Sequence, residues 1–100
     1  MAKRIRLTLH AKANLDNVSF YLFENWGFTV LENFLALYEA KIATIAEHAE
    51  RYPYINQKMK LRKAVLTKHN IILYREMDDF IEIISIFDTR QKPSNVNRLL

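Results

Sequence analysis

The spacing of apolar residues changes twice along this chain of 100 residues, and the two changes restrict the folds it can adopt. Ile5 to Leu9 alternates apolar with polar residues, the pattern of a half-buried strand. From about Lys12 the apolar residues recur at intervals of three and four, as they do on one face of a helix. From Leu61 onward β-type runs return. The sequence therefore predicts an α+β domain.

A single glycine divides the helical region in two. Gly27 follows the first apolar stripe, and it lacks the Cβ that disfavours the left-handed conformation just after a helix. Thr29 and Glu32 have the spacing of a capping box, which predicts that a second helix begins there. Pro53 is predicted to end that helix. The apolar positions of the two predicted helices are Leu15, Val18, Leu22 and Trp26, then Leu31, Phe34, Leu35, Tyr38, Ile42, Ile45 and Ala49.

Three β-rich runs follow a loop that is predicted to extend to about Lys60. They are Leu61 to Lys68, Ile71 to Met77 and Asp79 to Asp88, and turns short enough for hairpins separate them. We expect an antiparallel meander, and hence a β-α-α-β-β-β order in which a helical hairpin packs on an antiparallel sheet. The last two runs are apolar on both faces, so the second face is expected to be at least partly covered, by a partner or by the chain's own tail.

No linker interrupts the sequence, and a core of this size does not divide into two stable ones, so residues 1–100 are predicted to form a single domain. Residues 88–100 turn polar and are predicted to be an extended C-terminal tail.

Charge is distributed unevenly within a net value of +4. Between Ala13 and Glu50 six acidic residues accompany one basic residue, Lys41. Between Arg51 and Arg75 seven basic residues occur and no acidic one. Such a basic block is typical of a surface that meets phosphate or an acidic protein. The alternative is a solvated basic face without a dedicated partner.

Composition excludes several kinds of site. The absence of cysteine removes disulfides, thiolate catalysis and thiolate metal sites. His10, His48 and His69 do not have metal-ligand spacing, so no metal and no cofactor is expected. No apolar run approaches the roughly 20 residues of a membrane span. The N-terminal residues have no secretory pattern, so we expect a cytoplasmic protein.

Two groups of motifs resemble a known family. Toward the N-terminus stand Ala11, Asn14-Leu15, Val18, Tyr21-Leu22 and Trp26-Gly27, which resemble the A-x-x-D-L-x-x-I-x-x-Y and W-G patterns of ParE-like proteins, with Asn14 where an aspartate is usual. Toward the C-terminus stand Leu61-Arg62-Lys63, Leu73-Tyr74-Arg75, Ile83 to Phe87 and the run from Asp88 to Pro93, which are similar to the ending of plasmid-stabilisation proteins. In this order they extend over about residues 5 to 93, and the chain resembles the RelE/ParE superfamily.

The resemblance implies the toxin of a bacterial type II toxin–antitoxin system of the plasmid stabilisation or addiction kind. Such a toxin is neutralised by direct binding of its cognate antitoxin in a hetero-oligomer, commonly through an extended or helical segment laid over the helical hairpin and the sheet. RelE-like members are metal-independent endoribonucleases that cut mRNA on the ribosome. ParE-like members poison DNA gyrase and are not known to perform bond chemistry. Whether the chain is an enzyme depends on this branch.

The departures from the RelE-like pattern favour the ParE-like branch. A metal-free ribonuclease needs general acid and base groups beside cations. Arg62 lies where RelE-like enzymes carry a basic residue, but Ile71 replaces an arginine and Asp88 stands where a histidine is frequent. No tyrosine or histidine follows Asp88. A third reading, a non-catalytic nucleic-acid-binding module, would use the basic block alone.

The candidate site residues are cations. Arg62 and Arg90 are the candidates for catalysis, and both are predicted to be exposed. Arg90 has an alternative role as the ion-pair partner of Asp88. Tyr74 is predicted to pack in the sheet and Trp26 in the core of the hairpin. The residues expected to contact the target are Lys60, Arg62, Lys63, Arg75, Arg90 and Lys92.

Overall fold

The computed structural model describes residues 2–89, which form two helices and a five-stranded sheet. In chain order the elements are β1 (Arg4–Leu7), α1 (Leu9–Trp26), α2 (Phe28–Glu47), one 3-10 turn (Ala49–Arg51), β2 (Tyr54–Asn56), β3 (Leu61–Thr67), β4 (Asn70–Glu76) and β5 (Phe80–Asp88). The α+β class and the predicted order of helices and main strands are confirmed. The predicted tail lies outside the described residues from Arg90 onward, and Asp88 itself still belongs to β5.

The strands lie in the order β1-β5-β4-β3-β2. The antiparallel meander of β3, β4 and β5 is confirmed. The sheet as a whole is mixed, because β1 pairs with β5 in parallel. A parallel connection needs a crossover, and here the helical hairpin provides it, so both helices pack on one face. The predicted loop before Lys60 contains one more strand, β2, which pairs with β3.

The first helix begins earlier than the sequence predicts. Thr8 is extended, and its Oγ1 accepts a hydrogen bond of 3.0 Å from the N–H of Ala11. A threonine in this position satisfies one of the unpaired N–H groups of a first turn and so fixes the helix start. The strand therefore stops at Leu7, and the prediction that it continues to Leu9 is wrong.

The turn between the helices is formed by Gly27 alone. Its φ of 88° disfavours any residue with a side chain, and its N–H donates to the carbonyl of Phe23. The second helix starts directly at Phe28, so Thr29 is already helical and makes no capping hydrogen bond. The predicted capping box is wrong because the glycine occupies the cap position two residues earlier.

The second helix ends at Glu47, before Pro53 can act. His48 leaves the helical conformation with φ −138° and ψ 54°. This break brings Ala49 into the core, where its carbonyl accepts a 2.6 Å hydrogen bond from the hydroxyl of Tyr74. A buried tertiary contact thus ends the helix where local sequence gives no signal.

The core lies between the two helices and one face of the sheet. Ile72, Tyr74, Ile81 and Ile83 are fully buried there, and the predicted stripe residues Leu15, Val18, Leu22, Leu35, Tyr38 and Ile42 pack against them. Tyr74 packs in the sheet as predicted. Trp26 is 65% exposed, so its predicted place in the hairpin core is wrong: it is the last residue of α1.

Candidate functional site

A cavity of about 770 Å³ separates the helical hairpin from the end of the sheet where β3 turns into β4 and β5 ends. We call it the groove. Its hairpin wall is largely apolar and includes Tyr21, Trp26, Val30 and Leu37. Its sheet wall is polar and comprises Thr67, His69, Asn70 and Asp88. The groove therefore offers an apolar side and a hydrogen-bonding side to the same occupant.

Hydrogen bonds hold the polar wall in place. The hydroxyl of Thr67 donates to Oδ1 of Asn70 over 2.8 Å and accepts from the N–H of His69 over 3.2 Å. The carbonyl of His69 accepts from the N–H of Thr89 over 2.8 Å. The β3–β4 turn is thereby tied to the end of β5, so this wall is preformed.

The apolar wall is unusually open to solvent. Trp26 is 65% exposed, Leu37 53%, Tyr21 46% and Val30 38%. Four large apolar side chains around one cavity form a contiguous exposed patch, and such patches mark binding surfaces.

The opposite side of the sheet carries a second candidate surface. Side chains alternate between the two faces of a strand, so the residues next to the buried Ile81 and Ile83 point away from the helices. We call this side the far face. It consists of Arg4 and Arg6 on β1, Leu61, Lys63 and Val65 on β3, Ile71, Leu73 and Arg75 on β4, and Phe80, Glu82, Ile84 and Phe87 on β5.

The far face changes character along the strands. At the end nearest the groove, Val65, Ile71 and Phe87 lie side by side. At the other end Arg6, Glu82 and Arg75 lie side by side. Leu61, the neighbour of Arg75 at the charged end, is 3% exposed and Leu73, in the middle of the face, is 0% exposed, although neither belongs to the cluster beneath the helices. These two leucines are shielded from solvent, and coverage of the whole second face by a partner or by the tail stays a prediction.

A β-bulge at Leu73 and Tyr74 interrupts the pairing of β4 with β5. At the bulge Ser85 donates to Oδ1 of Asn14 on α1 over 2.9 Å, and the N–H of Ile86 donates to the same oxygen over 3.0 Å. One helix side chain therefore satisfies two buried donors that the irregular ladder leaves open.

The predicted target-contact residues are divided between surfaces. Lys63 and Arg75 lie on the far face, whereas Arg62 points to the helix side. Lys60 lies in the β2–β3 loop with a φ of 55°. Arg90 and Lys92 lie outside the described residues. Of the four predicted residues that lie within the described part of the chain, the structure thus brings two to the same face.

Arg62 is only half exposed, so its predicted exposure is wrong. It donates to the carbonyls of Tyr52 and Glu50, and its guanidinium lies 3.9 Å from the centre of the Tyr54 ring. These contacts tie β3 to the segment between α2 and β2. A guanidinium held by carbonyl oxygens and an aromatic ring has less freedom to meet a ligand.

Tyr74 is held in its neutral form. Burial raises the pKa of its hydroxyl far above the ordinary value, and the cation of Arg62 offsets only part of that effect. The hydroxyl also donates its hydrogen bond to the carbonyl of Ala49. Tyr74 is therefore suited to packing and poorly suited to general-base chemistry.

Sequence reasoning missed Arg4 and Arg6. Their alternation with Ile5 and Leu7 is visible in the sequence, but only the parallel pairing of β1 with β5 places them beside Phe80 and Glu82. Arg6 lies 4.5 Å from the centre of the Phe80 ring. The open apolar wall of the groove was also missed, because apolar helix positions were assigned to the core.

Among residues 2–89 no three histidine or acidic side chains are grouped so that they could hold a metal ion. Neither helix in this part of the chain is long and apolar enough to cross a bilayer.

No protein-family model and no curated protein matches the sequence. A solved structure does match the fold: a chain from the chromosomal ParDE TA system of P. aeruginosa superimposes with a TM-score of 0.75. The two sequences are 14% identical, and the match covers 89% of this chain and 98% of that one. Together with the order of the elements, this likeness establishes that the chain has a RelE/ParE-like fold.

Proposed function

We propose that the chain is the toxin of a type II toxin–antitoxin system and that a cognate antitoxin neutralises it. The observation that carries this proposal is the fold shared with a chain of a ParDE TA system, over 89% of this chain. The sequence motifs that resemble the same superfamily support it independently, because they are read from the residues and not from the fold.

The groove is the proposed antitoxin site. An amphipathic segment recognises a partner by burying one apolar face in a hydrophobic groove while its edges form hydrogen bonds. Trp26 and Leu37 offer the apolar contact, and the preformed wall of Thr67 and Asn70 offers the polar one. The toxin would then be blocked by a segment wedged between the hairpin and the sheet.

A single substitution on the groove tests this site. Leu37→Arg places a charge in the apolar wall, and because Leu37 is 53% exposed the fold should be retained. We expect the variant to arrest growth while the co-expressed antitoxin no longer rescues the cells. Ala43→Arg is the matched control, since Ala43 is exposed on the same helix and does not line the groove. Full rescue of both variants would place the antitoxin elsewhere.

We further propose that the target is DNA gyrase, as the ParE-like branch implies. Two observations favour this branch over an RNA-cleaving one. Arg62 is engaged by the carbonyls of Tyr52 and Glu50, and the proton of Tyr74 is committed to Ala49. Arg62, which stands where RelE-like enzymes carry a basic residue, and Tyr74, whose hydroxyl could otherwise serve as a general base, are thus both occupied with internal contacts. This function requires no cofactor, and its target lies in the bacterial cytoplasm.

The target is tested with purified components. The protein should slow the supercoiling of relaxed plasmid by gyrase or trap cleaved DNA on the enzyme, and added antitoxin should reverse the effect. Translating ribosomes form the comparison. Cuts in the mRNA at the ribosomal A site, with gyrase unaffected, would replace this proposal with the RelE-like endoribonuclease.

A further inference from the structure

The far face carries four cations from three strands and a single carboxylate among the described residues, and three of these cations lie at or beside its charged end. Arg4 and Arg6 come from β1, Lys63 from β3 and Arg75 from β4, and Glu82 is the only acidic residue on this face within residues 2–89. We propose that this surface binds the phosphate backbone of duplex DNA, with Arg6 as its central contact.

The spacing of the cations suits a polyanion. Arg4 and Arg6 are two residues apart on one strand, which corresponds to about 7 Å. Arg6 and Arg75 flank Glu82 from its two neighbouring strands, a separation of about 10 Å across the sheet. Positive charge therefore extends in two directions over an area that can meet several phosphates.

Arg6 is held in a geometry that leaves its donors available. Its guanidinium is stacked on the ring of Phe80, with 4.5 Å to the ring centre. Stacking uses the flat face of the group and leaves the N–H edge free for a bidentate contact with phosphate oxygens. An arginine that is already positioned loses less side-chain entropy when it binds.

Arg75 is only weakly paired. Its contact with Glu82 is long, 3.4 Å between Nη2 and Oε1, and its side chain is 37% exposed, although its Nε is buried and out of reach of a ligand. Glu82 lies between two arginines and cannot neutralise both. A phosphate could therefore approach the exposed part of the Arg75 guanidinium and balance charge that one carboxylate leaves unpaired.

This inference goes beyond the proposed function, since it needs neither gyrase nor antitoxin. It also differs from DNA binding by the basic block of residues 51–75, because Arg4 and Arg6 lie outside that block and Arg62 inside it is engaged elsewhere. An acidic protein is the competing occupant, and the experiment separates the two.

The experiment measures binding of the whole chain to a labelled duplex of 20 base pairs by fluorescence anisotropy, between 50 and 200 mM salt. Each phosphate contact contributes about 0.9 to the slope of log K against log salt. R4Q/R6Q should therefore lower the slope by about 1.8 and weaken binding at least about tenfold near 0.15 M salt. R4K/R6K, which keeps both charges, should preserve the slope.

R51Q/K68Q is the matched control. It removes the same number of charges from exposed positions off the far face, and its slope should stay close to that of the parent chain. Equal loss in R4Q/R6Q and R51Q/K68Q would overturn the inference, as would absence of salt-dependent binding by the parent. Binding of poly-glutamate in preference to the duplex, lost in R4Q/R6Q, would also overturn it and identify an acidic protein instead.

Growth arrest on expression is recorded separately for the same variants. A parent chain that binds the duplex without arresting growth would contradict the toxin proposal and leave the DNA site standing. A parent chain that arrests growth but does not bind the duplex would contradict the DNA site and leave the toxin proposal standing.

Discussion

The two faces of the sheet are built from alternate residues of the same strands, yet they differ in almost every physical property. On the helix side Ile72, Tyr74, Ile81 and Ile83 are 0% exposed and form one closed cluster. On the far face apolar residues at one end give way to arginines at the other. The period of two along a strand therefore places the closed cluster on one face and the exposed arginines on the other.

The largest loss of stability is expected when a buried side chain on the helix side of the sheet is shortened. Ile83→Ala removes a fully buried side chain, which costs about 2–5 kcal/mol of unfolding free energy when the surroundings cannot collapse. Ile84→Ala, one residue later and only half buried, is the matched control and should cost clearly less. Urea unfolding of both variants measures the difference. Equal losses would mean that the two faces are not energetically distinct.

The next effect concerns the side chain that joins α1 to the bulge. Asn14→Ala leaves the hydroxyl of Ser85 and the N–H of Ile86 without their acceptor, which should cost about 1–3 kcal/mol. Asn14→Asp keeps an oxygen in place and should retain most of the stability. If both variants unfold at the same urea concentration, Asn14 does not stabilise the chain through its hydrogen bonds at the bulge.

A smaller effect should come from the buried hydroxyl of Tyr74, on the helix side of the sheet. Tyr74→Phe removes the bond to Ala49 and should cost about 1 kcal/mol at pH 8. Because the pKa of Tyr74 is raised in the folded chain, the unfolded chain ionises first, above about pH 10. The stabilisation is complete below that pH and is lost as the pH rises.

Unfolding at pH 8 and pH 11 measures this dependence. The gap between the parent chain and Tyr74→Phe should shrink at the higher pH. A gap that is unchanged or wider would show that Tyr74 is free to ionise in the folded state.

The smallest change in stability is expected on the far face. Glu82→Gln breaks a long ion pair between partly exposed groups, which should change the unfolding free energy by under about 1 kcal/mol. Its effect on binding should be larger. Removal of the only described carboxylate on this face should tighten binding to the duplex. Glu32→Gln, on the exposed surface of α2, should leave binding close to that of the parent. Weaker binding by Glu82→Gln would mean that the carboxylate positions the arginines.

Within residues 2–89, the features that the sequence predicts correctly are those that depend on short-range interactions. The apolar stripes of both helices, the glycine turn and the three meander strands were predictable, because they depend on residues close together in the chain. Thr8 shows the limit of prediction from local sequence. A threonine within a strand and a threonine that caps a helix cannot be distinguished until the path of the following residues is known. Trp26 shows another, since an apolar residue at the end of a stripe can line a groove as readily as a core.

The candidate site was less predictable than the fold. The sequence singled out Arg62, Lys63 and Arg75 as neighbours in a basic block, but adjacent residues on a strand point to opposite faces. Arg62 consequently joins the carbonyls of the segment before β2, while Lys63 and Arg75 remain on the far face. Proximity in sequence is thus a poor guide to which cations act together.

The sequence by itself determined the α+β class, the helical hairpin, the meander and the uneven distribution of charge, since periodicity and composition are local properties of the chain. Only the tertiary structure decided that β1 lies parallel to β5 and that Arg6 stacks on Phe80 beside Glu82 and Arg75. It also decided that apolar hairpin residues border an open groove. Those arrangements depend on pairings between residues far apart in the chain, which no local pattern specifies.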